Sequence, residues 1–250
     1  MVCQSDFMGR IAVVTGGSYG LGFDFCRGLL ELGCVVYFCG RSSEHGRHAA
    51  ESLGQNAHFV RADLADPCDV QAFVDEVLKN TDKIDYLVNN IATDARIEFD
   101  DVDLESSDRM WATNLRSYIL TTRGFVDALR AGAGKAIVNI GTTNYMFGKT
   151  PFTLYNATKC GIVGFTRSLA RELGADGIRA NIISPGWVMT EKQLREHVTD
   201  ADKSQLMIDQ ALKFLLKPEH ITPSVLFLLS SGAAAITGQE LVVDAGEFVH

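Results

Sequence analysis

Short runs of apolar, often β-branched residues alternate along the chain with segments whose apolar positions repeat at helical spacing. The predicted strands are Ile11–Thr15, Cys34–Cys39, Ala57–Arg61, Ile84–Asn89, Ala136–Ile140, Ala180–Ser184 and Glu240–Val243. The predicted helices are Gly22–Leu32, Glu44–Leu53, Cys68–Lys79, Ser107–Leu129, Leu154–Leu173 and Pro218–Leu229. Strands that are apolar on both faces are typical of a parallel sheet covered by helices on each side. The pattern therefore predicts an α/β, doubly wound fold with a seven-stranded, mainly parallel sheet.

One long segment, residues 187–217, interrupts this alternation, because it is polar at first and then weakly helical. It follows the sixth predicted strand, and in an open α/β sheet ligands bind beyond the carboxyl ends of the strands. We therefore predict a single domain over residues 1–250 in which residues 187–217 form a substrate lid. The alternative is a surface excursion without a role.

Composition narrows the classes of partner. A formal net charge of -8 without a dense Lys/Arg run disfavours nucleic acid. The apolar runs are far shorter than the roughly 20 residues of a membrane-spanning helix, and residues 1–10 lack a signal peptide's apolar core. The six cysteines are scattered without metal-ligand spacing, which predicts reduced thiols, no metal site and a cytoplasmic location.

A glycine-rich turn joins the first predicted strand to the first helix: Thr15-Gly16-Gly17-Ser18-Tyr19-Gly20-Leu21-Gly22. Glycines let the backbone turn sharply and approach a pyrophosphate, which the N–H groups of a helix N-terminus attract. The predicted cofactor contacts here are Gly16, Ser18, Tyr19, Gly20, Leu21 and Gly22. A purely structural turn could use the same glycines.

Tyr155 and Lys159 are four residues apart in a predicted helix, so both side chains lie on one face. A tyrosine with its ordinary pKa of about 10 is a poor base at neutral pH, and a neighbouring ammonium favours the phenolate. Thr142 ends the fifth predicted strand thirteen residues earlier and supplies a hydroxyl. A solvated helix face is the alternative explanation of the Tyr-x-x-x-Lys spacing alone.

In combination and in this order, these motifs resemble those of the short-chain dehydrogenase/reductase family. The resemblance covers the whole chain and includes Asn89-Asn90-Ile91-Ala92, Pro185-Gly186 and Val243-Asp244-Ala245-Gly246. It implies a Rossmann-type fold and hydride transfer between a nicotinamide and an alcohol or carbonyl. Ile91 and Ala92 are bulkier than the residues usual in the family, which predicts a tighter cavity beside the nicotinamide ribose.

The resemblance also implies roles for single residues. Tyr155 would be the acid/base, Lys159 would lower the tyrosine pKa and hold the nicotinamide ribose, and Thr142 would hold the substrate oxygen in place of the usual serine. Asn114 would support a water relay that reaches Lys159. The remaining implied cofactor contacts are Asp63, Leu64, Asn90, Ala92, Pro185, Gly186, Val188 and Thr190.

Cofactor preference is predicted from the end of the second strand. A carboxylate at this place would bind the 2′-hydroxyl of NAD(H), but position 40 is glycine. Arg41 and Ser42 could instead bind a 2′-phosphate, which predicts NADP(H), with NAD(H) as the alternative. Tyr19 stands where family members that use NADP(H) often carry a second basic residue.

The predicted substrate walls mix aromatic and polar side chains. They are Asn144, Tyr145, Met146, Phe147, Phe152, Trp187 and Met189, together with Thr142. Such a site suits a sugar or polyol, and residues 185–193 resemble family members that oxidise aldoses. The second candidate function is a ketone or 3-oxoacyl reductase. A protein that binds a dinucleotide without catalysis is the alternative outside the enzymes. The family also implies a homotetramer, with apolar contributions from Leu226–Leu229 and Phe248–His250.

Overall fold

The computed structural model describes residues 3–249 and contains one seven-stranded sheet in the order β3-β2-β1-β4-β5-β6-β7, parallel throughout. The strands are β1 (Ile11–Thr15), β2 (Val35–Gly40), β3 (Ala57–Arg61), β4 (Tyr86–Asn89), β5 (Ala136–Ile140), β6 (Arg179–Pro185) and β7 (Glu240–Val243). The strand order reverses between β1 and β4, and ligands of such sheets bind in the crevice that this reversal opens. The predicted α/β doubly wound fold is confirmed.

Helices connect the strands and cover both faces of the sheet. They are α1 (Gln4–Phe7), α2 (Gly20–Glu31), α3 (Ser43–Leu53), α4 (Pro67–Leu78), α5 (Leu104–Trp111), α6 (Ser117–Ala131), α7 (Asn144–Phe147), α8 (Thr153–Glu172), α9 (Glu191–Glu196), α10 (Asp200–Asp209) and α11 (Pro218–Leu229). Along β1, Ala12 and Val14 join one buried apolar cluster while Val13 joins the other. This alternation gives the sheet a core on each side.

All seven predicted strands are present, with shifts of one or two residues at some ends. Cys34 and Ile84 lie outside strands, because β2 begins at Val35 and β4 at Tyr86. The helix predicted over Ser107–Leu129 is present, because helical structure continues without a break through α5, a π-helical turn, Ala112–Arg116, and α6. The π-helical turn itself was not predicted, since apolar spacing over so few residues does not distinguish it from an α-helical turn.

The segment 187–217 is more regular than predicted. Thr190 caps α9 through a hydrogen bond from the Gln193 N–H, and Thr199 caps α10 with a capping box. These local bonds make two helices of a stretch with little apolar periodicity. Across residues 3–249, none of the helices has both the length and the apolar character that crossing a membrane would require. All six cysteines are free thiols.

Part of the predicted self-association surface is covered within the chain itself. Leu228 and Leu229, the last two residues of α11, are buried in the core. Phe248 packs edge-on against Phe147 with ring centroids 5.3 Å apart. The expectation that Leu228 and Leu229 contribute to a contact between subunits was therefore wrong. His250 lies outside the described residues.

Candidate active site at the carboxyl ends of β1, β4 and β5

The glycine turn after β1 packs closely against the start of α2. Gly16 and Gly20 have φ values of +70° and +60°, a region that favours glycine. A Cβ atom at Gly22 would lie only 2.1 Å from the Gly16 carbonyl oxygen. Glycine is thus required at Gly22 for α2 to start against the turn, and the free N–H groups of the helix N-terminus face an anion-binding position.

Asn90, which follows β4, holds this turn in place. Its side-chain amide donates to the backbone oxygens of Thr15 at 2.9 Å and Gly16 at 3.2 Å, and its backbone N–H donates to Thr15 Oγ1 at 2.9 Å. These bonds tie the carboxyl ends of β1 and β4 together. The side chain of Asn90 therefore stabilises the turn, and a direct cofactor contact stays a prediction.

The end of β2 closes the other side of the turn. A Cβ atom at Gly40 would lie 2.3 Å from Ser18 Oγ, so this hydroxyl occupies the space of a side chain at position 40. Ser18 Oγ is buried and has no hydrogen-bond partner among the described residues. Arg41 is exposed next to it, and Ser42 accepts the His45 N–H at 3.2 Å as the N-cap of α3. Ser42 keeps its hydroxyl proton available for a ligand.

The other predicted nucleotide contacts differ in how much of each side chain is free. Asp63 Oδ1 accepts the Ala65 N–H at 3.1 Å, so this aspartate caps its own loop. Leu64 is 1% exposed and belongs to the core, which leaves only its backbone for a ligand. Ala92 is exposed in the loop after β4.

Lys159, on α8, is 1% exposed, and its ammonium donates to the Ile140 carbonyl oxygen at 2.8 Å. Burial lowers the pKa of Lys159 to about 7, and the negative charge of Asp94 opposes this shift. The ammonium lies 5.8 Å from the centre of the Tyr155 ring. A lysine that is buried with one carbonyl acceptor has further N–H groups for a hydroxylated ligand.

Tyr155 lies one helical turn before Lys159 and close to Thr142. Burial raises the pKa of Tyr155 to about 12, a hydrogen bond with the Thr142 side chain lowers it, and Asp94 raises it. Thr142 is 7% exposed at the end of β5 and also accepts the Asn144 N–H at 3.2 Å. The structure thus brings Thr142, Tyr155 and Lys159 together, as the sequence predicts.

Asn114 lies in the π-helical turn and is fully buried. Its side chain spans to the loop after β4, accepting the Thr93 N–H at 2.8 Å and donating to the Thr93 carbonyl at 2.9 Å. Its amide also reaches Thr158 Oγ1 at 3.3 Å. The side chain is thus occupied in holding this loop, a bond pattern that the sequence did not predict, and its part in a water relay stays a prediction.

The residues after β6 bring the start of the predicted lid to the glycine turn. Pro185 ends β6, and Gly186 donates its N–H to Val243 at 3.1 Å. Val188 is buried in the core with only its backbone available. A Cβ atom at Gly20 would lie 3.4 Å from the Thr190 methyl group, so the chain before α9 lies beside the turn after β1.

Phe152, one of the predicted substrate walls, lies near the phenol, and Arg96 lies between it and a second predicted wall, Trp187. The Phe152 ring centroid is 5.8 Å from that of Tyr155, and the Arg96 guanidinium lies over both Phe152 and Trp187, at 5.4 and 5.7 Å. Met189 is 7% exposed, which limits its contribution to the wall.

The prediction that the Tyr145 side chain lines the substrate site was wrong. Its hydroxyl donates to the Glu240 carboxylate at 2.7 Å, and with Met146 it lines a separate cavity of about 800 Å³ beside Arg167 and Arg171. Neighbouring residues of the one-turn helix α7 point about 100° apart, so the chain directs Asn144 and Tyr145 to different sides. Phe147, at the other end of α7, contacts Phe248.

Sequence reasoning missed Asp94. Its carboxylate accepts hydrogen bonds from Lys192 Nζ at 2.8 Å and Gln193 Nε2 at 2.6 Å, and its charge acts on both Tyr155 and Lys159. An available signal was its position shortly after β4, at the carboxyl edge of the sheet where ligands bind.

These residues fit a nicotinamide dinucleotide. The closed glycine turn leaves backbone N–H groups for a pyrophosphate, Ser18 has an unpartnered buried hydroxyl, and Lys159 has spare donors. A phenol, a threonine hydroxyl and an ammonium together can polarise a carbonyl and exchange a proton with it. Among residues 3–249 no group of three or more His, Cys, Asp or Glu side chains is arranged to hold a metal ion.

Comparisons with known proteins find similarity along nearly the whole chain. Residues 16–247 match a family model described as enoyl-(acyl carrier protein) reductase. The chain is 32% identical to a probable galactose dehydrogenase of Rhizobium meliloti, over 97% of this chain and 96% of that protein. It is also 32% identical to a D-xylose 1-dehydrogenase of Caulobacter vibrioides, over 95% of each.

A solved structure of a short chain dehydrogenase/reductase family protein superposes with a TM-score of 0.85 at 32% identity, covering 96% of this chain and 98% of that one. Family members use NAD(P) to interconvert hydroxyl and carbonyl groups. The fold, the family model and the full-length similarity lead to one conclusion: the chain belongs to the short-chain dehydrogenase/reductase family and is an oxidoreductase of that kind.

Proposed function

We propose that this oxidoreductase uses Tyr155 as its proton donor and acceptor and prefers NADP(H), with an aldose or related polyol as substrate. The observation that carries the proposal is the cluster at the end of β5, where the Thr142 side chain is hydrogen-bonded to Tyr155 and the centre of the Tyr155 ring lies 5.8 Å from the Lys159 ammonium. When bound, the cofactor supplies or accepts a hydride at its nicotinamide ring.

Tyr155 and Thr142 act on the substrate oxygen. With a pKa of about 12, Tyr155 is protonated at neutral pH and can give its proton to a carbonyl oxygen that both hydroxyls hold. In the direction of alcohol oxidation the phenolate has to form, and the positive charge of Lys159 stabilises it.

Lys159 and Asn114 support this proton transfer. Lys159 would hold the ribose with N–H groups that the Ile140 carbonyl leaves free. Asn114 would act through the loop after β4, since it holds both backbone groups of Thr93. A water relay to Lys159 remains part of the proposal.

The preference for NADP(H) rests on the end of β2. Position 40 is glycine and Ser18 Oγ fills the space beside it, so the carboxylate that would select NAD(H) is missing. Arg41 and Ser42 remain to hold a 2′-phosphate by charge-assisted hydrogen bonds. The other proposed nucleotide contacts are Gly16, Tyr19, Gly20, Leu21, Gly22, Asp63, Leu64, Asn90, Ala92, Pro185, Gly186, Val188 and Thr190.

The aldose assignment is supported by the names of two relatives, a galactose dehydrogenase and a D-xylose 1-dehydrogenase. Aromatic rings beside planar polar groups suit a hydroxylated ring, and here Phe152 and Trp187 accompany Arg96. The second candidate, a ketone or 3-oxoacyl reductase, is favoured by the acyl carrier protein in the description of the family model. A binding module without catalysis is opposed by the intact Thr142, Tyr155 and Lys159.

Residues 187–217 serve in this proposal as the lid over the substrate, within one domain. Support comes from the position of Thr190 beside Gly20 and from the Trp187 ring under Arg96. We further propose a homotetramer, because the family implies contacts through α6 and α8 and through the C-terminal end.

One screen tests the proposal. Wild-type protein is assayed with aldoses, polyols and cyclic ketones in both cofactors by the absorbance of reduced nicotinamide, alongside Tyr155→Phe and Arg41→Ala. We expect turnover of an aldose with NADP⁺, loss of at least about 100-fold in kcat in Tyr155→Phe with NADPH binding retained, and a lower NADP⁺ preference in Arg41→Ala.

Tyr37→Phe is the matched control for Tyr155→Phe, because the Tyr37 ring stacks on His58 at the edge of the sheet. Near-normal activity of Tyr155→Phe would exclude the assigned acid/base. A strong NAD(H) preference in wild type that persists in Arg41→Ala would exclude the assigned cofactor, and NADPH binding without turnover of any screened substrate would favour the non-catalytic module.

A further inference from the structure

The Asp94 carboxylate connects the loop after β4 to the lid with both of its oxygens. Oδ1 accepts from Lys192 Nζ at 2.8 Å, and Oδ2 accepts from Gln193 Nε2 at 2.6 Å. The loop is fixed next to Asp94, because the buried Asn114 hydrogen-bonds to both the backbone N–H and the carbonyl of the preceding residue, Thr93. Asp94 is thus a rigid attachment point for α9.

A second hydrogen bond continues from Gln193 to the substrate side. Gln193 Oε1 accepts the indole N–H of Trp187 at 2.9 Å. The orientation of this amide follows from the chemistry of its partners, since an ionised carboxylate only accepts hydrogen bonds and an indole only donates. The amide nitrogen must face Asp94 and the amide oxygen must face Trp187, so the chain Asp94–Gln193–Trp187 has one arrangement.

The Trp187 ring is held on its face as well as at its edge. Arg96, two residues after Asp94, places its guanidinium 5.7 Å from the Trp187 ring centre. The same short loop therefore fixes the indole through Gln193 and contacts it directly. The charge of Asp94 also reaches the centre of the site, where it raises the pKa of Tyr155 and of Lys159.

We propose that Asp94 is a positioning residue for the reaction: through Gln193 it fixes the Trp187 indole as a wall of the substrate cleft, and through Lys192 it holds α9 closed. The proposal rests on the proposed substrate role of Trp187. It assigns a function to a residue outside the group Thr142, Tyr155, Lys159 and Asn114. Loss of the Asp94 carboxylate should free the indole and weaken substrate binding more than it slows the chemical step.

The first test reads the indole directly and needs no substrate. The chain has two tryptophans, so Trp111→Phe isolates the fluorescence of Trp187. Trp187→Phe isolates the fluorescence of Trp111, which is 52% exposed and serves as the reference for an exposed indole. Acrylamide quenching is measured in the Trp111→Phe protein with NADPH, alone and combined with Asp94→Ala, Asp94→Asn or Gln193→Ala. We expect Asp94→Ala and Gln193→Ala to raise quenching towards that of Trp111, and Asp94→Asn, which keeps an acceptor oxygen, to stay near the parent protein.

The second test uses turnover of D-galactose in the otherwise wild-type chain. Asp94→Ala should raise KM by about 10-fold, the range expected when a hydrogen bond to a charged group is lost, with a smaller change in kcat. Asp100→Ala, an exposed acid of the same loop, is the matched control and should leave KM unchanged. Unchanged quenching in both Asp94→Ala and Gln193→Ala, with bound NADPH, would overturn the proposal.

The two tests separate this proposal from the proposed function. If wild-type protein fails to oxidise D-galactose, the aldose assignment is in question, whereas the quenching of Trp187 still decides the role of Asp94. If quenching rises in Asp94→Ala but KM and kcat fall together or stay constant, the indole is held without serving the substrate, and the positioning role is refuted.

Discussion

The floor of the site and its proposed lid differ in how they are held. The floor consists of the glycine turn 16–22 with Thr142 and Lys159, and these two residues are only 7% and 1% exposed. The proposed lid, residues 187–217, is joined to the loop after β4 by Lys192 and Asp94, whose side chains are 36% and 25% exposed. Burial and close backbone contacts hold the floor. The proposed lid is anchored in the core at Val188 and Leu216, but its link to the loop after β4 consists of side chains that reach water.

This difference has an energetic consequence. A change in the floor must displace backbone or leave a buried group unpaired, which costs several kcal/mol. A broken contact in the lid is largely replaced by water, so it costs little in overall stability. We therefore expect α9, within the proposed lid, to open locally while the floor remains folded, as segments from the less stable part of a protein do.

Gly22→Ala should have the largest effect, because the new Cβ would lie 2.1 Å from the Gly16 carbonyl oxygen. We expect the free energy of unfolding to fall by about 3 kcal/mol or more and NADPH affinity to be largely lost. Urea unfolding and fluorescence titration with NADPH measure the two. Gly164→Ala is the matched control, since nothing lies within 4 Å of that position on α8, and it should raise stability by about 0.4–1 kcal/mol. Normal NADPH affinity in Gly22→Ala would contradict the proposed rigidity of the floor.

The second largest effect is a dependence of the free energy of unfolding on pH, which comes from Lys159. Its folded-state pKa of about 7 is below the ordinary 10.5, so between these values the unfolded chain holds a proton that the folded chain lacks. Stability of the nucleotide-free protein therefore gains about 1 kcal/mol per pH unit from this residue as pH rises above 7.

Lys159→Met removes this contribution, and the comparison with wild type cancels the other titrating groups. Urea unfolding of both proteins at pH 7, 8 and 9 should show the stability advantage of Lys159→Met shrinking as pH rises. Parallel pH curves would mean that the ammonium is not buried as described.

Lys192→Met should have the smallest effect on global stability. The Lys192–Asp94 pair is partly exposed, so we expect the free energy of unfolding to fall by less than about 1 kcal/mol. Urea unfolding measures it, and Lys79→Met, which breaks the exposed pair with Glu76, is the matched control. A loss as large as that of Gly22→Ala would place the lid in the same cooperative unit as the floor.

The floor was largely predictable from the sequence, because its constraints are local. Glycines at 16, 20 and 22 and the four-residue spacing of Tyr155 and Lys159 are visible in the chain, and the seven strands were predicted to within about two residues. Family membership and reaction class are confirmed by the comparisons. The assigned roles of single residues stay predictions.

What the sequence could not predict depends on side-chain direction and on contacts between distant segments. Tyr145 faces Glu240, which is 95 positions away, and nothing in the local pattern indicates it. Gln193 and Asp94 are 99 positions apart, and their contact exists only because the lid folds back over β4. The π-helical turn around Asn114 was not predicted, because apolar spacing over five residues does not distinguish it from an α-helical turn.

The packing of Ser18 against Gly40 also shows how the proposed coenzyme preference could be altered. A Cβ atom at position 40 would lie 2.3 Å from Ser18 Oγ but 3.4 Å from Ser18 Cβ, so only the hydroxyl stands in the way of a side chain there. Rotation or removal of that hydroxyl makes the room. An acidic residue at position 40 should therefore be accommodated more easily together with Ser18→Ala than alone.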